Sequence, residues 1–165
     1  MKQSQQRARK LYWLFAILAV ITIAIVSTAY AAMQTARDTQ ASLMQRTNTI
    51  AALIPASSLT ELNGHEGDIG SPAYEALKQD LKDVRSSNQD IRFVYIMALK
   101  QEQAYFVIDA EEQDSADYSP PGQLYEEDAG EVAAVFQSKQ GIVLPVTSDR
   151  WGSWLSAYSP ILNES

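Results

Sequence analysis

The chain has no cysteine and a single histidine, His65, among its 165 residues. The first absence excludes disulfides, thiolate metal sites and a cysteine nucleophile. The second excludes a His-rich metal centre built within one chain. Basic residues are outnumbered, 13 Lys+Arg against 20 Asp+Glu, which argues against a protein whose main task is gripping nucleic-acid phosphates. No cofactor, no metal and no nucleic-acid partner are expected. The chain shows no internal repeat and no low-complexity stretch. Its length suits one ordinary domain plus extra elements.

Charge is also missing where it matters most. Leu11 to Ala32 is a run of 22 residues without Asp, Glu, Lys or Arg. As a helix it spans about 33 Å, enough to cross about 30 Å of hydrocarbon once. A helix is the only single-segment solution, because lipid offers backbone groups no partner. Tyr12, Trp13 and Tyr30 stand near its ends, where amphipathic rings favour the headgroup layer. Lys2, Arg7, Arg9 and Lys10 precede it with no acid among residues 1–10, whereas 9 basic and 20 acidic residues follow from Arg37 onward. The basic tip predicts a cytoplasmic N-terminus and an exported acidic portion, residues 33–165, at the inner (cytoplasmic) membrane. A cleaved signal peptide is the competing reading, since Ala29-Tyr30-Ala31 fits the cleavage pattern. The run exceeds the usual apolar core of such peptides, about 7–15 residues, so an uncleaved anchor is preferred. Either reading exports the remainder.

Residues 33–54 continue the helix as a juxtamembrane stalk, with a stripe of Leu43, Met44, Thr47, Ile50 and Leu53/Ile54. This stripe can pack on the domain or face a second copy, so a homodimer through the stalk is expected. Pro55–Ser71 reads as loop, and His65 as a solvated residue within it. Ser71 caps a helix that begins at Pro72 and ends at Ser86–Asn88. Tyr74, Leu77, Leu81 and Val84 form its apolar face; Lys78, Asp80, Lys82, Asp83 and Arg85 occupy its other faces. Residues 91–99 and 104–110 read as a hairpin of two strands. Arg92, Val94 and Ile96 point one way and Phe93, Tyr95 and Met97 the other; Tyr105, Val107 and Asp109 share a face of the second strand. Residues 111–123 form an acidic loop. Asp109, Glu111, Asp114 and Asp117 lack the spacing and the central glycine of a helix–loop–helix calcium site. A helix over residues 125–140 follows, with Glu126, Glu127 and Asp128 in its first turn and Gly141 at its C-terminal cap. Residues 142–147 and 154–161 read as strands around a turn at 148–152, with Pro145 weakening the first.

The order of helix, loop, helix, strand pair, helix, strand pair gives an α+β fold: an antiparallel sheet with flanking helices. Here the sequence resembles the extracytoplasmic PAS-like sensor domain, called Cache or PDC, of bacterial transmembrane signalling proteins. The resemblance is carried by Arg92–Met97, Tyr105–Asp109, Tyr118–Tyr125, Thr147–Trp154 and Ser156–Ile161. It covers residues 33–165 and is moderately specific only when the blocks are taken together. It implies a membrane anchor and long helix leading into a five-stranded antiparallel sheet, one face of which encloses a small-molecule pocket. A further central strand normally follows the Pro160-Ile161 block. The expected domains are therefore a basic tip (1–10), a transmembrane helix (11–32), a stalk (33–54) and a C-terminally incomplete sensor domain (55–165). The whole is expected to be a fragment or truncated product of a longer receptor.

A sensor needs a concave apolar pocket with a few polar groups that fix its ligand. The candidates are Tyr95 and Met97 on the first strand, Tyr105 and Asp109 on the second, Tyr118 and Tyr125 flanking a Pro120-Pro121-Gly122 loop that acts as a lid, and Asp149 and Trp151 from the final turn. Asp109 and Asp149 suit an amine-bearing ligand, with aromatic rings adding cation–π attraction. Arg92 or Arg150 suits a carboxylate. Each has a structural alternative: the aromatic residues as core, Asp149 as a turn former. The resemblance implies signal transduction through a two-component sensor histidine kinase, with a diguanylate cyclase or chemoreceptor as alternatives. A membrane-anchored interaction protein without a ligand is the reading of another class. An exported enzyme is disfavoured, because the lone histidine sits between glycine-rich flanks and no G-x-S-x-G elbow exists. Pilin-like assembly is disfavoured because the apolar run carries no acidic residue.

Overall fold

A computed structural model describes residues 2–126, 129–149 and 152–162. Two compact units are present, Met1–Ser42 and Leu43–Ser165. The division falls inside the expected stalk.

The first unit is helical throughout its described length and belongs to helix α1 (Lys2–Leu53). Among the described residues one helix, within Arg9–Leu53, is long and apolar enough to cross a membrane. Signal sequences and buried core helices meet the same criterion. Its large apolar side chains, Trp13, Phe15, Ile23 and Val26 among them, are exposed. Thr22, Thr28 and Thr35 turn their hydroxyls back onto carbonyls four residues earlier, which spares an apolar environment their polar groups.

The second unit is α+β, as expected. The end of α1 contributes buried Ala51, with Leu43, Met44, Thr47 and Ile50 half-buried. The segment read as loop carries a short helix, α2 (Ala56–Leu59), and a 3₁₀ turn (Glu66–Asp68). Helix α3 (Pro72–Ser87) starts where the sequence places it: the Ser71 hydroxyl accepts from the Tyr74 amide at 3.3 Å and Pro72 occupies the first turn. Strands β1 (Tyr95–Lys100) and β2 (Gln103–Asp109) form an antiparallel hairpin. Tyr74, Leu77 and Leu81 of α3 pack against Ile96, Ile108 and Ala110, forming the core.

Several expectations are corrected here. Strand β1 begins at Tyr95 rather than at Ile91. A bulge between Ile96 and Met97 inserts Val107 as an unpaired residue, so Ile96 opposes Ile108 but Met97 opposes Phe106. That shift turns Tyr105 and Asp109 to opposite faces, because alternation is broken between them. Tyr105 opposes Ala98 and joins the core side; Asp109 opposes Tyr95.

The Pro-Pro-Gly loop is not a lid over the sheet. It runs along the free edge of β2: the Gly122 amide donates to Phe106 O at 2.8 Å, the Phe106 amide to Gln123 O at 3.0 Å, and the Tyr125 amide to Ala104 O at 2.9 Å. Covering an edge in this way satisfies its backbone groups.

Helix α4 (Ala129–Ser138) is shorter than the helix expected over 125–140. Tyr125 lies on the β2 edge instead, and Glu127 and Asp128 lie outside the described residues. The helix also ends early. Lys139, not Gly141, takes the left-handed position past its end, with φ 56°. Gly141 is needed for space: a Cβ there would sit 2.5 Å from Met44 Cε and 2.9 Å from Tyr158 O.

The last two expected strands are each broken once. Strands β3 (Ile142–Val143) and β6 (Ala157–Tyr158) pair, as do β4 (Thr147–Asp149) and β5 (Gly152–Trp154). The break surrounds Pro145, which has no amide to offer. The Leu144 amide still reaches Ser156 O at 2.9 Å, holding the two pairs in one ribbon. The described strands thus form three two-stranded ladders rather than one five-stranded sheet.

Candidate functional site

Two clusters gather the chemistry of the second unit. The first lies on the Tyr95 face of the hairpin. Phe106 meets Tyr95 edge-on at 5.2 Å between centroids and Tyr125 edge-on at 5.5 Å. Edge-to-face contact suits the ring quadrupoles. The hydroxyls converge beyond the rings: Tyr125 and Tyr158 lie 2.8 Å apart, Tyr95 and Tyr158 3.5 Å apart. Burial, then the nearby Tyr95 oxygen, then the bond to Tyr125 push the Tyr158 hydroxyl well above the ordinary phenol range, so it stays protonated at physiological pH. Phe93 and Trp154 continue the aromatic surface at 5.7 Å. The half-buried Met97 shares this face through its pairing with Phe106. The result is an apolar wall with a knot of neutral hydroxyls.

The second cluster lies where α3 meets the loop leaving β2. Lys78 is buried, and its ammonium donates to Asp109 O at 2.8 Å and to Glu111 O at 2.6 Å. It also lies 4.7 Å from the centre of the Tyr118 ring, within cation–π range. The Tyr118 hydroxyl in turn meets that of Tyr74 at 3.1 Å. Burial lowers the Lys78 pKa, and the Asp109 charge opposes that shift.

The Asp109 carboxylate accepts from the Glu111 amide at 2.9 Å and the Ser119 amide at 2.9 Å. Burial raises its pKa, against those two donors and the Lys78 charge. Buried Glu111 pairs with Arg85 at 2.6 Å and with Arg92, and Arg92 reaches Asp117 at 2.8 Å. These charges are paired within the chain, although Arg85 Nη1 makes no well-aligned hydrogen bond. The Asp109 carboxylate, by accepting from Glu111 and Ser119, shapes the 109–119 loop that carries Tyr118. Arg92 is likewise committed to carboxylates of its own chain.

A shallow groove of about 330 Å³ outside α3 is lined by Lys78, Lys82 and Glu112, among others. Lys82 and Glu112 already pair across it at 2.6 Å. The Lys78 ammonium at its floor is likewise committed, to the Asp109 and Glu111 carbonyls.

The structure thus brings together Tyr95, Met97 and Tyr125 on one face, and ties Asp109 and Tyr118 to the loop that leaves β2. Tyr105 belongs to neither: it packs beneath Gly64, with a ring carbon 2.4 Å from where a Gly64 Cβ would stand. Asp149 contributes backbone pairing with Gly152. Its side chain, Arg150 and Trp151 lie outside the described residues.

Sequence reasoning missed Phe106, Tyr158 and Lys78 as members of these clusters. Lys78 had a signal, since it stands four residues after Tyr74 and three before Leu81, squarely on the apolar stripe of α3. His65 is not merely solvated: its Nδ1 accepts from the Gly67 amide at 2.9 Å and caps the 3₁₀ turn. Among the described residues no group of three or more His, Asp or Glu side chains is placed to hold a metal ion. No family model, no curated protein and no solved structure matches this chain.

Proposed function

We propose that this chain is the membrane-anchored, extracytoplasmic sensing region of a bacterial signal-transduction receptor with a PAS-like (Cache) domain. A sensor histidine kinase is the preferred receptor, with the phosphotransfer chemistry belonging to residues other than these. Residues 11–32 are the inner-membrane anchor, the N-terminus is cytoplasmic, and residues 33–165 lie outside. The receptor works as a homodimer through the stalk. The observation that carries this reading is the aromatic face, where the hydroxyls of Tyr95, Tyr125 and Tyr158 converge within an apolar wall. Small-molecule sites combine apolar walls with a few placed polar groups in this way. Neutral hydroxyls both donate and accept, so they suit a small polar ligand of either sign. The α+β order and the helix shared by the apolar run and residues 33–53 also support it.

The test is thermal melting of the full chain in detergent against amino acids, amines and organic acids. At least one class raises the midpoint in the wild type and leaves Tyr158→Phe unmoved. No shift with any class would overturn ligand sensing.

One observation favours the second reading, a membrane-anchored interaction protein without a ligand. The rings of Tyr95, Phe106 and Tyr125 contact each other as a filled core does. That reading expects Tyr158→Phe to lower stability without altering any ligand response.

A further inference from the structure

The segment Tyr158–Ile161 touches both sides of the second unit. Successive residues of an extended chain point to opposite faces. Tyr158 sends its hydroxyl to Tyr125 at 2.8 Å, in the aromatic knot. Ser159, its neighbour, sends its hydroxyl the other way and donates to Asn48 Oδ1 on α1 at 2.8 Å. Ile161 then packs against the core cluster that Ile54, just past α1, also joins. The backbone of Tyr158 is fixed by pairing with Ile142 in β3. The junction is also tight. A methyl on Gly141 would meet Met44 Cε at 2.5 Å, Tyr158 O at 2.9 Å and Asn48 Oδ1 at 3.1 Å. Helix α1, the Tyr158 backbone and Gly141 therefore meet with no room for one more carbon.

We infer that residues 158–161 are a coupling lever, through which the tyrosine hydroxyl knot sets the packing of α1 residues 44–51. A group that displaces the Tyr158 ring also bears on Ser159, the next residue along the same backbone and one position past the paired strand β6. Movement of Ser159 stretches its bond to Asn48 and opens the close contact at Gly141. The coupling runs equally in reverse, since linkage between two sites is reciprocal. Asn48 and Ser159 are positioning residues here and touch no ligand. The lever rests on the sensing reading for its purpose, but its existence does not depend on a ligand.

The experiment is amide hydrogen exchange on the full chain in detergent micelles, with no ligand added. Tyr158→Phe removes the hydroxyl and is expected to speed exchange in residues 44–51 by about fivefold or more, the low end of typical coupling. Asn48→Ala, a change at the surface of α1, is expected to speed exchange at residues 142–143 and 157–158 by a similar factor. Thr49→Ala, one position along the same helix, is expected to leave those strands unchanged. Changes confined to the neighbourhood of each substitution, or a response in one direction only, would overturn the lever. If Tyr158→Phe failed to fold, the Asn48→Ala arm would decide alone. Intact coupling with no ligand response would sink the sensing reading and leave the lever standing; a ligand response without coupling would do the reverse.

Discussion

The Tyr125 and Tyr158 hydroxyls lie 2.8 Å apart, although 33 residues separate them in the chain. The contact ties the segment that borders β2 to strand β6. Removing the Tyr125 hydroxyl takes the shorter of these contacts from Tyr158, which keeps the Tyr95 hydroxyl at 3.5 Å. Tyr125→Phe is therefore expected to cost about 1 kcal/mol, the usual net worth of such a bond. Chemical denaturation of the full chain checks this. An unchanged midpoint would show that the bond contributes nothing.

Lys78 anchors the loop after β2 through two carbonyls and the Tyr118 ring. Lys78→Met keeps the aliphatic stem but strands both carbonyls. The expected loss is about 2–4 kcal/mol, from two buried acceptors left without a donor. The same substitution at Lys82, which pairs with Glu112 at the surface, should cost less than about 1 kcal/mol. Equal costs for the two would contradict the buried role of Lys78.

Gly64 and Gly70 both have positive φ, 68° and 83°, but different surroundings. A Cβ on Gly64 would strike the Tyr105 ring, whereas nothing lies within 4 Å of one on Gly70. Gly70→Ala should cost about 1 kcal/mol from backbone strain alone. Gly64→Ala should cost more, by about 1–3 kcal/mol, because the ring must also shift. Melting of the two variants side by side tests the difference.

Asp68 accepts from the Asn63 amide at 2.9 Å and the Gly64 amide at 2.7 Å, and also from the Asn63 side chain and the His65 amide. Burial alone would raise its pKa, but the Asn63 side chain and these amides outweigh burial and lower it. An acid with a depressed folded pKa stabilises the fold above its unfolded value, about 3.9, and loses that contribution as pH falls through the folded value. Asp68→Asn is thus expected to melt below the wild type at pH 7, with the gap narrowing below about pH 4. A gap independent of pH would contradict the ionised cap.

Local signals made much of this fold legible. Ser71-Pro72 placed the start of α3, and the period of Tyr74, Leu77 and Leu81 placed its buried face. Alternation placed Val94 and Ile96 opposite Phe93 and Tyr95. What escaped depends on partners distant in sequence. No residue type marks the bulge at Ile96/Met97. The Gly122–Tyr125 segment shows no strand pattern, yet it finds the β2 edge. Tyr125 was legible as an aromatic near a loop, but its partner Tyr158 became visible only once β3 and β6 paired. The charge of Lys78 points to a solvated face, whereas its place on the Tyr74–Leu81 stripe points to the burial the structure shows.

The proposed receptor requires residues 33–165 to lie outside the cytoplasm, tethered by residues 11–32. Paired fusions of alkaline phosphatase and green fluorescent protein after Ile161 test this directly in bacterial cells. An extracytoplasmic receptor domain gives an active phosphatase and a dark fluorescent protein at that junction. A bright fluorescent protein with an inactive phosphatase would place the α+β unit in the cytoplasm and contradict the receptor reading.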